Sequence, residues 1–193
     1  MQEPASEQAL VRAVAEGDRE AFATVFRHWY PPIVRFVRRY VRRIDVAEDI
    51  AQDVFIAVWE RRSDLDPSRS FRAYLYTIAR NRALNVVAHN RLVSAVTVEA
   101  DDTRDGIPIT TVAATSEPGP AETVEFSELI RIAESRVMTL SPRLREIYHL
   151  TRHEGLAPAE VAQVLGSSIQ TVYKQIAQIV KALHPILDRW RRT

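Results

Sequence analysis

Apolar residues recur every three or four positions along most of the chain, which is the spacing that places them on one face of an α-helix. The pattern runs through residues 7–91 and resumes from Thr123 onward. Its clearest case is Asp45–Arg61, where one half of the helical wheel is apolar and the other half is mainly acidic. Only 5 glycines are present, too few for the many tight turns of a sandwich or barrel. The sequence therefore predicts an all-α fold.

Capping and breaking residues set the expected helix boundaries in the first half of the chain. Ser6 and Asp18 are suitable N-caps for two helices that are separated near Gly17. Pro31-Pro32 is expected to break or kink the second of these helices, because proline removes a backbone donor. The helix expected next has an apolar stripe formed by Ile33, Val37, Tyr40 and Ile44, and a basic opposite face formed by Arg35, Arg38, Arg39, Arg42 and Arg43.

A last helix of the first half is predicted from Phe71 to about Arg91, with Ser70 as its N-cap. Tyr74 shares a helix face with Ile78 and is the tyrosine expected in the core. Aromatic residues alternate with Arg and Asn along this helix, so it can stack on unpaired bases and hold phosphates. A solvated helix with its tyrosines in the core is the alternative interpretation.

Residues 92–126 interrupt the helical periodicity. Val, Thr and Ser are mixed there with acidic residues and with Pro118-Gly119-Pro120, which predicts a flexible linker with a short extended piece at 106–113. We therefore expect two helical domains, residues 1–91 and 127–193, joined by this linker.

Leu156–Leu183 has the dimensions of a helix-turn-helix. Pro158 suits the first turn of a short helix, and Gly166 can take the left-handed conformation that ends it. Ser167 or Ser168 then caps a longer helix, whose early polar side chains can reach base edges or phosphates in a major groove. These side chains are Ser168, Gln170, Thr171, Lys174 and Gln175. An ordinary helical hairpin has the same spacing, so both interpretations stay open on spacing alone.

The polar half of Asp45–Arg61 has three interpretations. It carries Asp45, Glu48, Asp49, Gln52 and Asp53. A dimetal site would need inward-facing carboxylates and Glu-x-x-His pairs, and no histidine stands three residues after Glu48. A docking face for a basic partner and a solvated acidic face both fit the pattern.

Composition and charge narrow the function further. Cysteine is absent, which excludes a disulfide scaffold, thiolate metal sites and a cysteine nucleophile. Membrane-spanning and signal-peptide patterns are missing, so we expect a cytoplasmic protein. The net charge of +1 divides as +3 in residues 1–91, −6 in 92–126 and +4 in 127–193. Two basic blocks fit polyanionic partners, and two ordinary solvated domains would have the same balance.

The sequence predicts neither a catalytic centre nor a metal or cofactor site. It has no nucleophile–histidine arrangement, phosphate-binding glycine loop or His-Glu-x-x-His motif. His149 and His153 are four residues apart, but no third ligand accompanies them.

The order of these segments resembles the extracytoplasmic-function (ECF) sigma factors of bacterial RNA polymerase. The residues that carry the resemblance run in order from Gly17-Asp18 and Ala21-Phe22 through Asp45–Phe55, Phe71–Asn81, Leu140–Glu146 and Glu154–Leu156 to Glu160–Ala162, Leu165-Gly166 and Thr171-Val172. Each piece is weak alone, whereas the whole series in this order and spacing is highly specific. It covers about residues 7–91 and 127–187.

The resemblance implies a transcription initiation factor rather than an enzyme, with three functional surfaces and no cofactor. It implies that Asp45, Glu48, Asp49, Gln52 and Asp53 dock on the clamp helices of the polymerase's large subunit. It implies that the −10 promoter element is read and opened by Arg72, Tyr76, Arg80, Asn81, Arg82, Asn85 and His89. The −35 element would contact Ser168, Gln170, Thr171, Lys174 and Gln175. An anti-sigma factor is a further implied partner, and the factor would join the nucleoid when bound to polymerase.

The predicted recognition helix departs from the family in being weakly basic. Residues 173–181 contain only Lys174 and Lys181, where family members are usually rich in Lys and Arg. Fewer phosphate contacts weaken DNA binding, so this helix either binds the −35 element weakly or serves a protein partner. The rival functions are a helix-turn-helix regulator that acts without polymerase and a metal-dependent enzyme on a helical bundle.

Overall fold

A computed structural model describes the backbone of residues 7–96 and 124–190, and the side chains of 7–92 and 130–185. All regular structure within these ranges is helical, which confirms the all-α prediction. The helices belong to two compact units, α1–α4 and α5–α8, which are described separately below.

The first unit is a bundle of four helices. α2 packs against α1, α3 and α4, and α3 also packs against α4. The helices are α1 (Glu7–Ala15), α2 (Arg19–Val37), α3 (Ile44–Glu60) and α4 (Phe71–Val96), with a 3-10 turn at Arg62–Asp64. Asp18 caps α2 by accepting from the backbone N–H groups of Glu20 and Ala21, at 2.8 and 3.1 Å. This cap and the helix break at Gly17, whose φ is 92°, agree with the sequence prediction.

Aromatic rings join the helices of this bundle. Phe26 of α2 meets Phe55 of α3 edge-on, with ring centroids 4.9 Å apart. Phe36 of α2 meets Tyr76 of α4 in the same manner, also at 4.9 Å. Edge-to-face pairs add about 0.5–1.5 kcal/mol each to the stabilisation from buried area. The core therefore fixes which faces of α3 and α4 point outward.

A break at the two prolines, one of the two outcomes predicted for them, does not occur. α2 runs through Pro31 and Pro32 as one helix and ends at Val37. Residues before and after the prolines, including Val25 and Ile33, are fully buried, and this packing offsets the lost backbone hydrogen bonds. Since α2 ends at Val37, the predicted apolar stripe does not continue to residue 44.

The segment that follows α2 corrects two further expectations. Ile44 begins α3 and is exposed instead of completing a stripe. Arg39, expected on a basic outer face, is buried. A turn after Val37 reorients both side chains relative to the helix that the sequence pattern had extended.

The second unit is organised around its last helix. α8 packs against each of the other three helices. The helices are α5 (Val124–Met138), α6 (Pro142–Arg152), α7 (Pro158–Val164) and α8 (Ile169–Trp190). Gly166 has a φ of 57°, in the left-handed region, and Ser168 Oγ accepts from the backbone N–H of Thr171 at 3.1 Å. The two helices of the predicted helix–turn–helix, α7 and α8, are present with a short turn between them, and they pack against each other.

Several helix boundaries in the structure differ from those that the sequence predicts. α4 reaches Val96, so residues 92–96 are helical and not linker, and α8 continues beyond Leu183 to Trp190. α5 begins at Val124, so residues 124–126 of the predicted linker are helical as well. The linker prediction for 97–123, including the extended piece at 106–113, lies outside the described residues. None of the described helices combines the length and the apolar character needed to cross a bilayer.

Candidate functional site

The acidic face of α3 points away from the bundle. Asp45, Glu48, Asp49, Gln52 and Asp53 are all exposed, as the helical wheel predicts. The opposite face is buried and consists of Ala47, Ile50, Ala51, Val54, Phe55 and Val58. Because burial fixes the rotation of the helix, the five polar side chains share one accessible surface, which we call the α3 face.

Asp45 is paired with the residue that precedes the helix. Arg43 Nε donates to Asp45 Oδ1 at 3.1 Å, and Arg43 Nη2 contacts the other carboxylate oxygen. The Arg43 hydrogen bond holds the pKa of Asp45 below its ordinary value. The start of the α3 face is therefore partly neutralised, and its unpaired negative charge lies further along the helix.

Ile56 is a residue of the α3 face that the sequence analysis did not single out. Its side chain is 54% exposed, and it stands three and four residues after Asp53 and Gln52. The sequence contained a signal for this residue, because Ile56 is an isoleucine that lies outside the buried half of the helical wheel. An exposed apolar side chain can become desolvated in a protein interface, where a few buried side chains carry most of the binding energy.

α4 presents exposed amides and partly buried cations. Asn81, Asn85 and His89 are exposed, whereas Arg72, Arg80 and Arg82 are half-buried. Asparagine side chains can bond base edges, and guanidinium groups can hold phosphates.

Tyr76 does not belong to this exposed set. It is 1% exposed, and its ring packs edge-on against Phe36 at 4.9 Å and Trp29 at 6.5 Å. A base cannot stack on a ring enclosed by the core, so the prediction that Tyr76 contacts DNA is wrong. Tyr74, expected in the core, is only half-buried.

The loop before α4 is organised by Asp66. Its Oδ1 accepts from the Ser68 backbone N–H at 2.9 Å and from the Ser68 hydroxyl at 2.6 Å. Its Oδ2 forms an ion pair with Arg69 Nε at 3.4 Å. The Ser68 hydroxyl and the Ser68 backbone N–H lower the pKa of Asp66. Ser70 Oγ then accepts from the Ala73 N–H at 3.1 Å, which confirms the predicted cap of α4.

An ion pair joins α3 to α4. Arg82 Nη1 donates to Asp53 Oδ2 at 2.9 Å, between residues that are 29 positions apart. Sequence reasoning assigned these two residues to different surfaces and did not predict their contact.

The exposed start of α8 carries most of the predicted recognition residues. Ser168, Gln170, Thr171 and Lys174 are exposed, and the Ser168 and Thr171 hydroxyls lie 2.8 Å apart. Gln175 is half-buried, and its Oε1 is buried with no hydrogen-bond partner among the described residues. That oxygen faces inward, so Gln175 cannot present it to a base in this rotamer.

The start of α7 and the turn from α7 into α8 are each held by a side-chain contact. Glu160 Oε2 accepts from the Ala157 N–H at 2.7 Å, which supplies half of a capping box where Ala157 has no acceptor of its own. Arg143 Nη2 donates to the Leu165 carbonyl at 3.3 Å. Tyr173, between Gln170 and Lys174, is exposed and was not singled out from the sequence.

His149 and His153 belong to an aromatic cluster in the second unit. Their rings are 5.1 Å apart, and Tyr148 lies edge-on to both. Within the described residues no group of three His, Asp or Glu side chains could hold a metal ion.

Comparison with known proteins gives matches across both units. Residues 25–92 match the Sigma-70 region 2 family, and residues 130–183 match Sigma-70, region 4. RNA polymerase sigma factor CnrH of Cupriavidus metallidurans is 30% identical over 185 residues, covering 95% of both chains. ECF RNA polymerase sigma factor SigK of Mycobacterium ulcerans is 28% identical, covering 93% of this chain and 92% of the relative.

Two solved structures share the fold. CnrH in complex with the cytosolic domain of CnrY matches with a TM-score of 0.61 at 24% identity, covering 95% of this chain and 97% of that one. RpoE in complex with the anti-sigma factor NepR, from Bartonella quintana, matches with a TM-score of 0.58 at 18% identity, covering 86% and 96%.

Region 2 followed by region 4 defines the class of protein as a transcription initiation factor of the sigma-70 type. The chain belongs to the ECF family of RNA polymerase sigma factors. It directs RNA polymerase to promoters. A regulator that acts without polymerase is not favoured, because region 2 occupies the first unit.

Proposed function

We propose that the α3 face docks the factor on core RNA polymerase, at the clamp helices of the large subunit. All five side chains predicted for this role are exposed on one helix whose opposite face is buried. Exposed carboxylates attract a basic surface and fix its register, while Ile56 supplies apolar area at the centre of the same surface.

α4 and the loop before it are proposed to read and open the −10 element. The proposed contacts are Arg72, Arg80, Asn81, Arg82, Asn85 and His89, without Tyr76. Amide groups discriminate bases, and the arginines hold the phosphates of the unpaired strand. The loop at 63–69 would border the pocket for an extruded base, since it directly precedes α4.

The start of α8 is proposed to contact the −35 element through Ser168, Gln170, Thr171 and Lys174. The basic residues of 169–183 are Lys174 and Lys181 alone. Few phosphate contacts are therefore available, so this contact is weak and contributes little to the salt dependence of DNA binding. Gln175 takes part only after a change of rotamer.

An anti-sigma factor is proposed as the controlling partner. RpoE was solved in complex with the anti-sigma factor NepR, and CnrH with the cytosolic domain of CnrY. We infer that a comparable protein binds this chain. The factor would act in the cytoplasm, at the nucleoid when bound to polymerase, and the polymerase would perform the chemistry.

The assignment of functions to segments follows from these surfaces. Under this proposal docking and −10 recognition belong to residues 1–91 and −35 recognition to residues 127–193, and the connection between them includes the end of α4 and the start of α5. The observation that carries the proposal is the pair of exposed polar faces on α3 and α4, two helices that pack against each other.

Co-purification with core polymerase, followed by run-off transcription and mapping of the start sites, tests the proposal. Asp49→Lys is expected to weaken retention on polymerase with unchanged circular dichroism, because it reverses a charge at the middle of the α3 face. Glu16→Lys, an equal charge change at an exposed position outside that face, is the matched control. Equal retention of wild type and Asp49→Lys at physiological salt would exclude docking through α3.

A further inference from the structure

The ion pair between Asp53 and Arg82 connects two surfaces with different proposed partners. Asp53 lies on the α3 face, and Arg82 lies on the helix proposed to hold the unpaired promoter strand. Their contact is 2.9 Å long, and the two side chains are 56% and 38% exposed. The Arg82 guanidinium therefore has two alternative partners, namely the Asp53 carboxylate within the molecule and a proposed DNA phosphate.

This pair is too exposed to be needed for the packing of α3 against α4. The two helices pack against each other, and each has fully buried residues, among them Ala47, Ala51, Ala79 and Ala83. An ion pair in contact with solvent changes an equilibrium constant by a factor of about 1.5 to 5. Such a pair forms when no competitor is present, and it opens when a stronger partner binds either end.

Both ends have competitors of suitable chemistry. A basic polymerase surface offers cations to the Asp53 carboxylate, which is part of the proposed docking face. A phosphate offers two oxygens that can accept parallel hydrogen bonds from the planar Arg82 guanidinium, whereas Asp53 accepts through one oxygen here. Binding at either end releases the group at the other.

We propose that Asp53 is an electrostatic latch that holds Arg82 in the free factor and releases it to a DNA phosphate when polymerase engages the α3 face. The inference rests on the proposed function of these two surfaces. It assigns to Asp53 a positioning role beyond docking, namely the coupling of polymerase binding to DNA binding. By linkage, DNA held by Arg82 strengthens polymerase binding by the same factor.

The latch is tested on the full-length free factor with a fluorescein-labelled single-stranded oligothymidylate at low salt. Asp53→Asn keeps the shape of the side chain and removes its charge, so we expect about 1.5 to 5-fold tighter binding of this probe. Glu60→Gln removes an exposed charge from the same helix, outside the proposed docking set, and is expected to have a smaller effect. In an Arg82→Gln background, Asp53→Asn should no longer tighten binding.

Each outcome decides the proposal. It is overturned if Asp53→Asn and Glu60→Gln act equally, if the gain persists without Arg82, or if no variant binds the probe. In the polymerase complex, Asp53→Asn should bring no gain in DNA affinity over wild type, because Asp53 is already engaged there. Failure of the wild type to bind core polymerase would instead refute the docking proposal, and the comparison of free variants would remain valid.

Discussion

Ile56 offers the sharpest test of how the α3 face binds. Surface charges with full access to water contribute little net affinity, whereas a central apolar side chain that becomes desolvated contributes more than 1 kcal/mol. We therefore expect Ile56→Ala to weaken polymerase binding by about fivefold or more. The side chain is exposed, so the free energy of unfolding should change by less than about 0.5 kcal/mol. Fluorescence anisotropy of labelled factor with core polymerase measures the loss, and unaltered affinity would show that Ile56 lies outside the interface.

Tyr76 should behave as a core residue in mutagenesis. Its replacement by Ala leaves a cavity beside Phe36 and Trp29, and we expect a loss of about 3–5 kcal/mol in the free energy of unfolding. Urea denaturation followed by circular dichroism measures this loss, with Asn81→Ala as an exposed control on the same helix. A Tyr76→Ala protein of normal stability that had lost −10 recognition would contradict the core assignment.

The difference between Tyr74 and Tyr76 shows where sequence reasoning reaches its limit. The buried face of α4 includes Ala73, Ala79 and Ala83 beside Tyr76. Alanine carries little hydrophobic signal, so periodicity alone did not reveal which tyrosine points inward. Caps were predicted correctly because Asp18 and Ser70 act on N–H groups two or three residues away.

The strand-opening role proposed for α4 can be distinguished from duplex recognition by experiment. We expect Asn81→Ala to impair transcription from a closed duplex promoter and to have a much smaller effect on a template whose −10 segment is pre-opened by mismatches. Opening costs about 1.4 kcal/mol per stacked step on average, and side chains that hold extruded bases offset this cost. Run-off transcription on the two templates measures the difference.

Asn90→Ala is the matched control for that experiment. Asn90 is an exposed asparagine on the same helix but lies outside the proposed contact set, so its replacement should leave both templates unaffected. An equal defect of Asn81→Ala on duplex and pre-opened templates would mean that Asn81 does not act in melting.

Helix ends and long-range contacts differ in how far the sequence predicted them. The turn into α8 followed from Gly166 and Ser168, whose effects are local. The passage of α2 through Pro31 and Pro32 depends on tertiary burial on both sides, which no local propensity contains. The Asp53–Arg82 pair likewise required the packing of α3 on α4.

The charge distribution of the whole chain sets the salt dependence of promoter binding. Residues 1–91 and 127–193 carry net charges of +3 and +4, yet the start of α8 presents a single lysine, Lys174. Loss of the phosphate contact proposed for Lys174 in Lys174→Ala should reduce the slope of log affinity against log salt by about one unit. Binding of holoenzyme to a duplex promoter over a range of salt concentrations measures this slope.

Lys181→Ala controls for charge alone. Lys181 is exposed two turns later on α8, further from the end of the helix that enters the groove in helix-turn-helix proteins. Its replacement should change the slope less than Lys174→Ala does. Equal changes would indicate a general electrostatic effect without a defined phosphate contact.

α4 has one buried face, which includes the alanines, and one exposed polar face. This division has a consequence for the design of factors with new promoter preferences. Asn81, Asn85 and His89 can be varied freely without touching the core, because they project from the side opposite the alanines. Enlarging Ala79 or Ala83 would overpack the bundle at a cost of about 1–3 kcal/mol. A library for orthogonal gene circuits should therefore randomise the three exposed positions and retain the alanines, so that nearly every member folds and selection acts on the DNA contacts proposed for these positions.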